Sequence, residues 1–125
     1  MTSQDLLNDA AIAPFLAGKS ETTLSLLDHF LAEFSRIGPV RLEATKTMIG
    51  ISNQQKRIAW ITQLGKNFVH VVFPFKQAYD DNLCFQKWAQ VPGSKQFNHH
   101  FRMLLPADVN DEVRRFMKIA WDEAS

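Results

Sequence analysis

Phe97-Asn98-His99-His100-Phe101-Arg102-Met103-Leu104-Leu105-Pro106 carries the architecture in miniature. Phe101, Met103 and Leu105 alternate with His100, Arg102 and Leu104, the period-two pattern of a strand with one buried face. Pro106 ends it. Asp108 is placed to cap a helix whose first turn holds Asp111 and Glu112, acids that the helix macrodipole favours there. Beyond the proline the period lengthens. Val109, Val113, Phe116, Met117, Ala120 and Trp121 recur at helical spacing.

Reading back toward the amino terminus, the period-two pattern persists to Val40. Leu83 to Val91 is a possible strand, followed by the turn Pro92-Gly93-Ser94. Phe68 to Phe75 is strongly β-prone and ends at Pro74. Gly65-Lys66-Asn67 is a turn, and Arg57 to Leu64 returns from the polar hairpin loop Asn53-Gln54-Gln55-Lys56. Ile49 and Ile51 flank Gly50, and Val40 and Leu42 alternate with Arg41 and Glu43. Before Gly38-Pro39 the period is helical again. Ser20 caps a helix with Leu24, Leu27, Leu31 and Phe34 on its stripe, widened by Phe30 and Ile37. Residues 3–12 predict a short helix capped by Ser3 and stopped by Pro14 and Gly18. The expectation is an α+β two-layer sandwich: an antiparallel sheet of five or six strands, with N-terminal and C-terminal helices on one face. Residues 1–125 read as a single domain, with 1–19 a helical extension and 20–125 the core.

Composition narrows the classes. The chain has 125 residues, 46% of them hydrophobic, with ten Phe and three Trp, so it can bury a core and is not disordered. One cysteine, Cys84, excludes an internal disulfide and a multi-cysteine zinc site. Residues 1–20 lack the basic start and long apolar run of a signal peptide, and no stretch is long enough to cross a bilayer. These features point to a cytoplasmic setting, bacterial or an equivalent reducing space, with no membrane partner.

The net charge of +1 hides a segregation. Residues 1–40 carry two basic and five acidic groups, a net of −3; residues 41–105 carry nine and three, a net of +6; residues 106–125 carry three and five, a net of −2. The sheet is basic and the helices acidic, so an anion is the natural partner of the sheet, unless its lysines simply solubilise edges and turns. A sequence pI near 7.9 without a recognisable motif argues against nucleic acid. Trp60, Phe68, Phe73, Phe85 and Trp88 could stack bases, but their spacing fits a core better.

His99 and His100, as strand neighbours, point to opposite faces and cannot jointly chelate a metal. His100 and Arg102 share a face and could clamp an anion. Lys46, between Thr45 and Thr47 where alternation breaks, aims either into a cavity between sheet and helices or into solvent. Ala17-Gly18-Lys19-Ser20 lacks the glycine and strand a phosphate loop needs. Asp28, His29 and Glu33 have metal-ligand spacing on one helix, yet fit an acidic solvated face better. Cys84, between Leu83 and Phe85, reads as an inert thiol. Nothing specifies a catalytic residue, a metal or a cofactor.

Several of these segments together resemble a bacterial family catalogued as domain of unknown function 5655. They are Thr45-Lys46-Thr47-Met48-Ile49-Gly50-Ile51-Ser52, Arg57-Ile58-Ala59-Trp60, Phe68-Val69-His70-Val71-Val72-Phe73, the doublet in His99-His100-Phe101-Arg102-Met103, and a final helix ending Ile119-Ala120-Trp121. The resemblance spans roughly 20–124. It implies a small α+β module without an established activity, and a shared site at Lys46, Lys76, His100 and Arg102. The functional expectation is a non-catalytic binding module for a small anionic ligand or an acidic partner segment. Lys46, His100 and Arg102 would make contact, and Arg57 and Lys76 would supply field. The alternatives are a homodimer module using the open sheet face, with Trp60 or Trp88 outward, and a small metal-dependent hydrolase.

Overall fold

The computed structural model describes residues 3–80 and 83–123. Among these, four helices and six strands occur: α1 (Ser3–Leu7), α2 (Ala13–Leu16), α3 (Glu21–Ile37), β1 (Arg41–Ala44), β2 (Ile49–Ser52), β3 (Arg57–Gly65), β4 (Phe68–Phe75), β5 (Lys87–Gln90), β6 (Phe97–Met103) and α4 (Asp111–Glu123). The strands form one antiparallel sheet in the order β1-β2-β3-β4-β6-β5. The chain is thus the expected α+β sandwich, with six strands.

Both long helices pack on the same face. Phe30 of α3 lies 6.5 Å from Phe73 and 6.3 Å from Phe101, and Phe116 of α4 lies 5.8 Å from Phe75. Phe73, Phe75 and Phe101 share one side of the pleat, so α3 and α4 cover that side together. Ser20 caps α3 by accepting from the Thr23 amide at 3.1 Å. The Thr23 hydroxyl then donates to the Gly65 carbonyl and accepts from the Asn67 amide, tying the helix start to the β3–β4 turn. Asn67 holds a left-handed φ of 64° in that turn, a conformation asparagine tolerates.

Several local expectations are corrected. Of the helix expected over 3–12 only Ser3–Leu7 forms, as α1; Pro14, expected to stop it, sits in the first turn of α2, and Ser3 lies within α1, its hydroxyl donating to Asp28 at 2.6 Å. The α3 stripe uses Leu26, while Leu24 is only half-buried. Asn110, not Asp108, caps α4, accepting from the Val113 amide at 3.0 Å. The Asp108 carboxylate is occupied by the amides of Leu104 and Leu105. β6 ends at Met103, and of the possible strand 83–91 only Lys87–Gln90 forms. β4 runs through Pro74, which lies beyond the last register pair with β3 at Val72, so no ladder bond there is lost.

The β2–β3 turn is locked from inside. Asn53 is 2% exposed; its Oδ1 accepts from the amides of Gln55 and Lys56, and its Nδ2 donates to the Trp121 carbonyl at 2.9 Å. Asn53→Ala removes all three bonds and strands the α4 carbonyl. We expect a loss of about 1–3 kcal/mol, read as a lower urea midpoint with an unchanged slope.

Candidate functional site

The register determines what the uncovered face carries. Glu43, Gly50, Trp60, Val72, His100 and Lys87 are successive cross-strand neighbours in one row through all six strands. The adjacent row holds Gln63, His70 and Arg102, with Phe68 two residues along β4. The row therefore runs from a carboxylate at the β1 edge to a cation at the β5 edge.

A register shift between β2 and β3 aims Arg57. Ala59 pairs with Ile51 but Arg57 pairs with Ser52, so Ile58 is the extra residue. Ile58 and Ala59 both enter the core, and Arg57 emerges on the open face. Its guanidinium carbon sits 4.1 Å from the Trp60 ring centroid, over the space left by Gly50. It also donates to Ser52 Oγ at 3.1 Å and to Glu43 at 3.2 Å. The Ser52 hydroxyl and then the Arg57 charge hold the Glu43 carboxyl below its ordinary range.

The face is centred on two histidines. His70 Nε2 and His100 Nδ1 are 2.9 Å apart, so one must carry the hydrogen and the other a lone pair. Two imidazolium rings would set N–H against N–H, so the bonded pair holds at most one extra proton. Both titrate below the ordinary imidazole range. Burial is the main cause for each; His100, Arg102 and Lys87 add to it at His70, and Lys87 and His99 add to it at His100. Beside them, Arg102 lies 4.4 Å over the Phe68 ring. His70 is only 9% exposed, and its Nδ1 and the Arg102 Nε are buried without a hydrogen-bond partner among the described residues. Such groups cost about 1–3 kcal/mol each, so their retention calls for a reason.

The surrounding field is one-sided. The six strands hold a single carboxylate, Glu43, which is already engaged, against Arg41, Arg57, Lys87 and Arg102.

The five residues picked out from sequence fall in three places. His100 and Arg102 do come together, joined by His70 and Lys87, neither of which the sequence had assigned to an anion site. Arg57 and Lys76 line a recess at one end of the sheet. Lys46 stands apart: it is exposed in the β1–β2 turn, where the Thr45 hydroxyl bonds both the amide and the carbonyl of Met48. Three strand intervals, about 14 Å, separate β2 from β6. No family model matches this chain, and no curated protein or solved structure shows significant similarity to it.

The other candidates have structural partners. His99 is fully buried among Phe75, Tyr79 and Phe85, its Nδ1 donating to the Phe97 carbonyl and its Nε2 accepting from the Tyr79 amide. That pattern requires a neutral ring, and burial lowers its pKa. Glu33 is engaged by Arg114 at 2.8 Å and Arg36 at 3.4 Å. Among the described residues no three His, Cys, Asp or Glu side chains gather to hold a metal. Burial and then Glu112 push the Cys84 thiol up to about 12, far from a nucleophile's range. Trp60 and Phe68 lie on the open face rather than in the core; Phe73 and Phe85 are core, and Trp88 is 38% exposed. No described helix is long and apolar enough to cross a membrane.

All three lowered histidines bind protons more tightly in the unfolded chain, whose imidazoles titrate near 6.5. Stability is therefore complete above that pH and is lost as pH falls through the lower folded-state values. Urea midpoints should drop between pH 7.5 and 5. His99→Gln should start from a lower midpoint with a flatter profile; a wild-type midpoint that holds or rises on acidification contradicts this assignment.

Proposed function

We propose that this chain is a non-catalytic binding module whose open sheet face engages an acidic segment of a partner protein. The observation that carries the reading is the meeting of His70, His100, Arg102 and Lys87 on β4, β5 and β6, three strands that contain no carboxylate. Clustered cations whose own strands carry no counterion attract and orient an anionic partner.

The shape supports an extended partner over a small ligand. The cationic groups stand on three adjacent strands, about 10 Å across, a span that an extended chain covers better than a compact ligand. An extended acidic chain laid across the strands can reach Arg102, the histidine pair and Lys87 in turn. The resemblance carried by Thr45–Ser52, Arg57–Trp60 and the His99-His100 doublet is in keeping with a module of this kind and supplies no reaction. A cytoplasmic setting belongs to the same proposal, since Cys84 is a free thiol. Self-association through this face is the weaker reading. A two-fold interface would set Arg57, Lys87 and Arg102 of both copies along one seam.

Binding of a fluorescein-labelled glutamate-rich decapeptide, followed by anisotropy, tests the proposal. Affinity should fall steeply between low and high salt. His100→Ala with Arg102→Ala should weaken it by about tenfold or more, the loss of roughly 1.4 kcal/mol of contact. Lys46→Ala should leave it unchanged. Protonation of the histidine pair adds one charge, so affinity should tighten on acidification, setting in below 6.5 because both rings are shifted down. Equal affinity in the wild type and the double variant rejects the site.

A further inference from the structure

A second concentration of positive charge lies at the end of the sheet where β3 begins and β4 ends. Four cations from three segments ring one recess: the neighbours Lys56 and Arg57 where the β2–β3 turn enters β3, Lys76 just after β4, and Lys95 from the β5–β6 turn. Its volume is about 460 Å³, within the range of small-ligand sites. Unlike the open face, this is a concavity.

Its lining is amphipathic. Ile58, Phe75 and Ala120 form an apolar floor beneath the charged rim. Glu123, at the carboxyl end of α4, is the one carboxylate on the wall, among the described residues. That acid and the negative helix end offset part of the positive charge. Arg57 is already shared with Glu43. The three lysines are not: among the described residues none has a carboxylate within 4.0 Å of its ammonium nitrogen. Three unpaired ammonium groups and a guanidinium around a cavity with one acid leave a net positive field that a doubly charged anion would neutralise.

We infer that this recess is a separate binding site for a compact organic dianion of the phosphate-monoester class. Lys56, Lys76 and Lys95 hold the phosphate as point charges, and the body of the ligand rests on Ile58, Phe75 and Ala120. Arg57 adds field. The site does not depend on the open-face reading, because only Arg57 belongs to both surfaces.

The test is a titration of the whole protein with phenyl phosphate, followed by amide ¹H–¹⁵N chemical shifts, with inorganic phosphate and phenol as controls. Saturable shifts are expected at Lys56, Phe75, Lys76, Lys95 and Gln96. Phenyl phosphate should bind more tightly than inorganic phosphate, and phenol should cause no saturable shift. Lys76→Glu with Lys95→Glu, both exposed positions, should leave the rest of the spectrum in place and weaken binding by about tenfold or more. His100→Ala with Arg102→Ala should bind phenyl phosphate like the wild type. The proposal is overturned by non-saturating shifts, by undiminished binding in the charge-reversed variant, or by shifts confined to the open face. Phenol binding as well as phenyl phosphate, or inorganic phosphate matching it, overturns the assigned ligand class.

Discussion

An aromatic seam between the helices and one side of the sheet organises the whole molecule. Phe30 and Phe34 on α3 meet edge to face at 5.7 Å; Phe116 on α4 closes on Phe75 and, at 4.8 Å, on Phe85. Each of these rings is nearly or wholly removed from water. Losing one such side chain typically costs about 3–5 kcal/mol. Because the apolar side chains of the strands converge on one side of the pleat, both ring-bearing helices are drawn to that side. Among the described residues no long helix is left for the other side, which must solvate itself. The cationic, ring-bearing open face is thus a consequence of where the seam lies.

The His99-His100 doublet shows how finely that division cuts. Two identical side chains one residue apart have opposite fates. His99 is sealed in a box of rings and bonded as a neutral base, while His100 faces outward against His70 and Lys87. One is packing that happens to be polar; the other belongs to a surface whose charge responds to protons. The bulge at Ile58 makes a similar choice, turning one residue inward so that Arg57 can turn out.

The pattern of periods foretold the layers, because burial of one face writes itself into spacing two or spacing 3.6. The Ser20 cap, the Asn53–Lys56 hairpin loop and the opposed faces of the doublet were legible for the same local reason. What the sequence could not disclose was long-range. β5 sits outside β6, so β4 and β6 become neighbours, and only that order brings His70 beside His100 and Lys87 beside both. Lys46 looked convergent because a broken alternation hints at an inward kink, but the break is a tight turn. Asp108 looked like a cap because its spacing allows it; Asn110 stands nearer the helix and takes the bond. His70 carried a signal, a lone histidine in an apolar strand, yet without strand order it pointed to no partner.

On the function proposed above, an acidic chain docks on the uncovered face and not on the helical layer. Paramagnetic relaxation from a glutamate-rich decapeptide bearing a nitroxide at one end addresses it most directly. Docking on the open face should broaden the Trp60 indole and the amides of His70, Lys87, His100 and Arg102, with relief by salt and with α3 and α4 unaffected. Broadening centred on α3 or α4, or none at peptide concentrations that saturate the anisotropy signal, would contradict it.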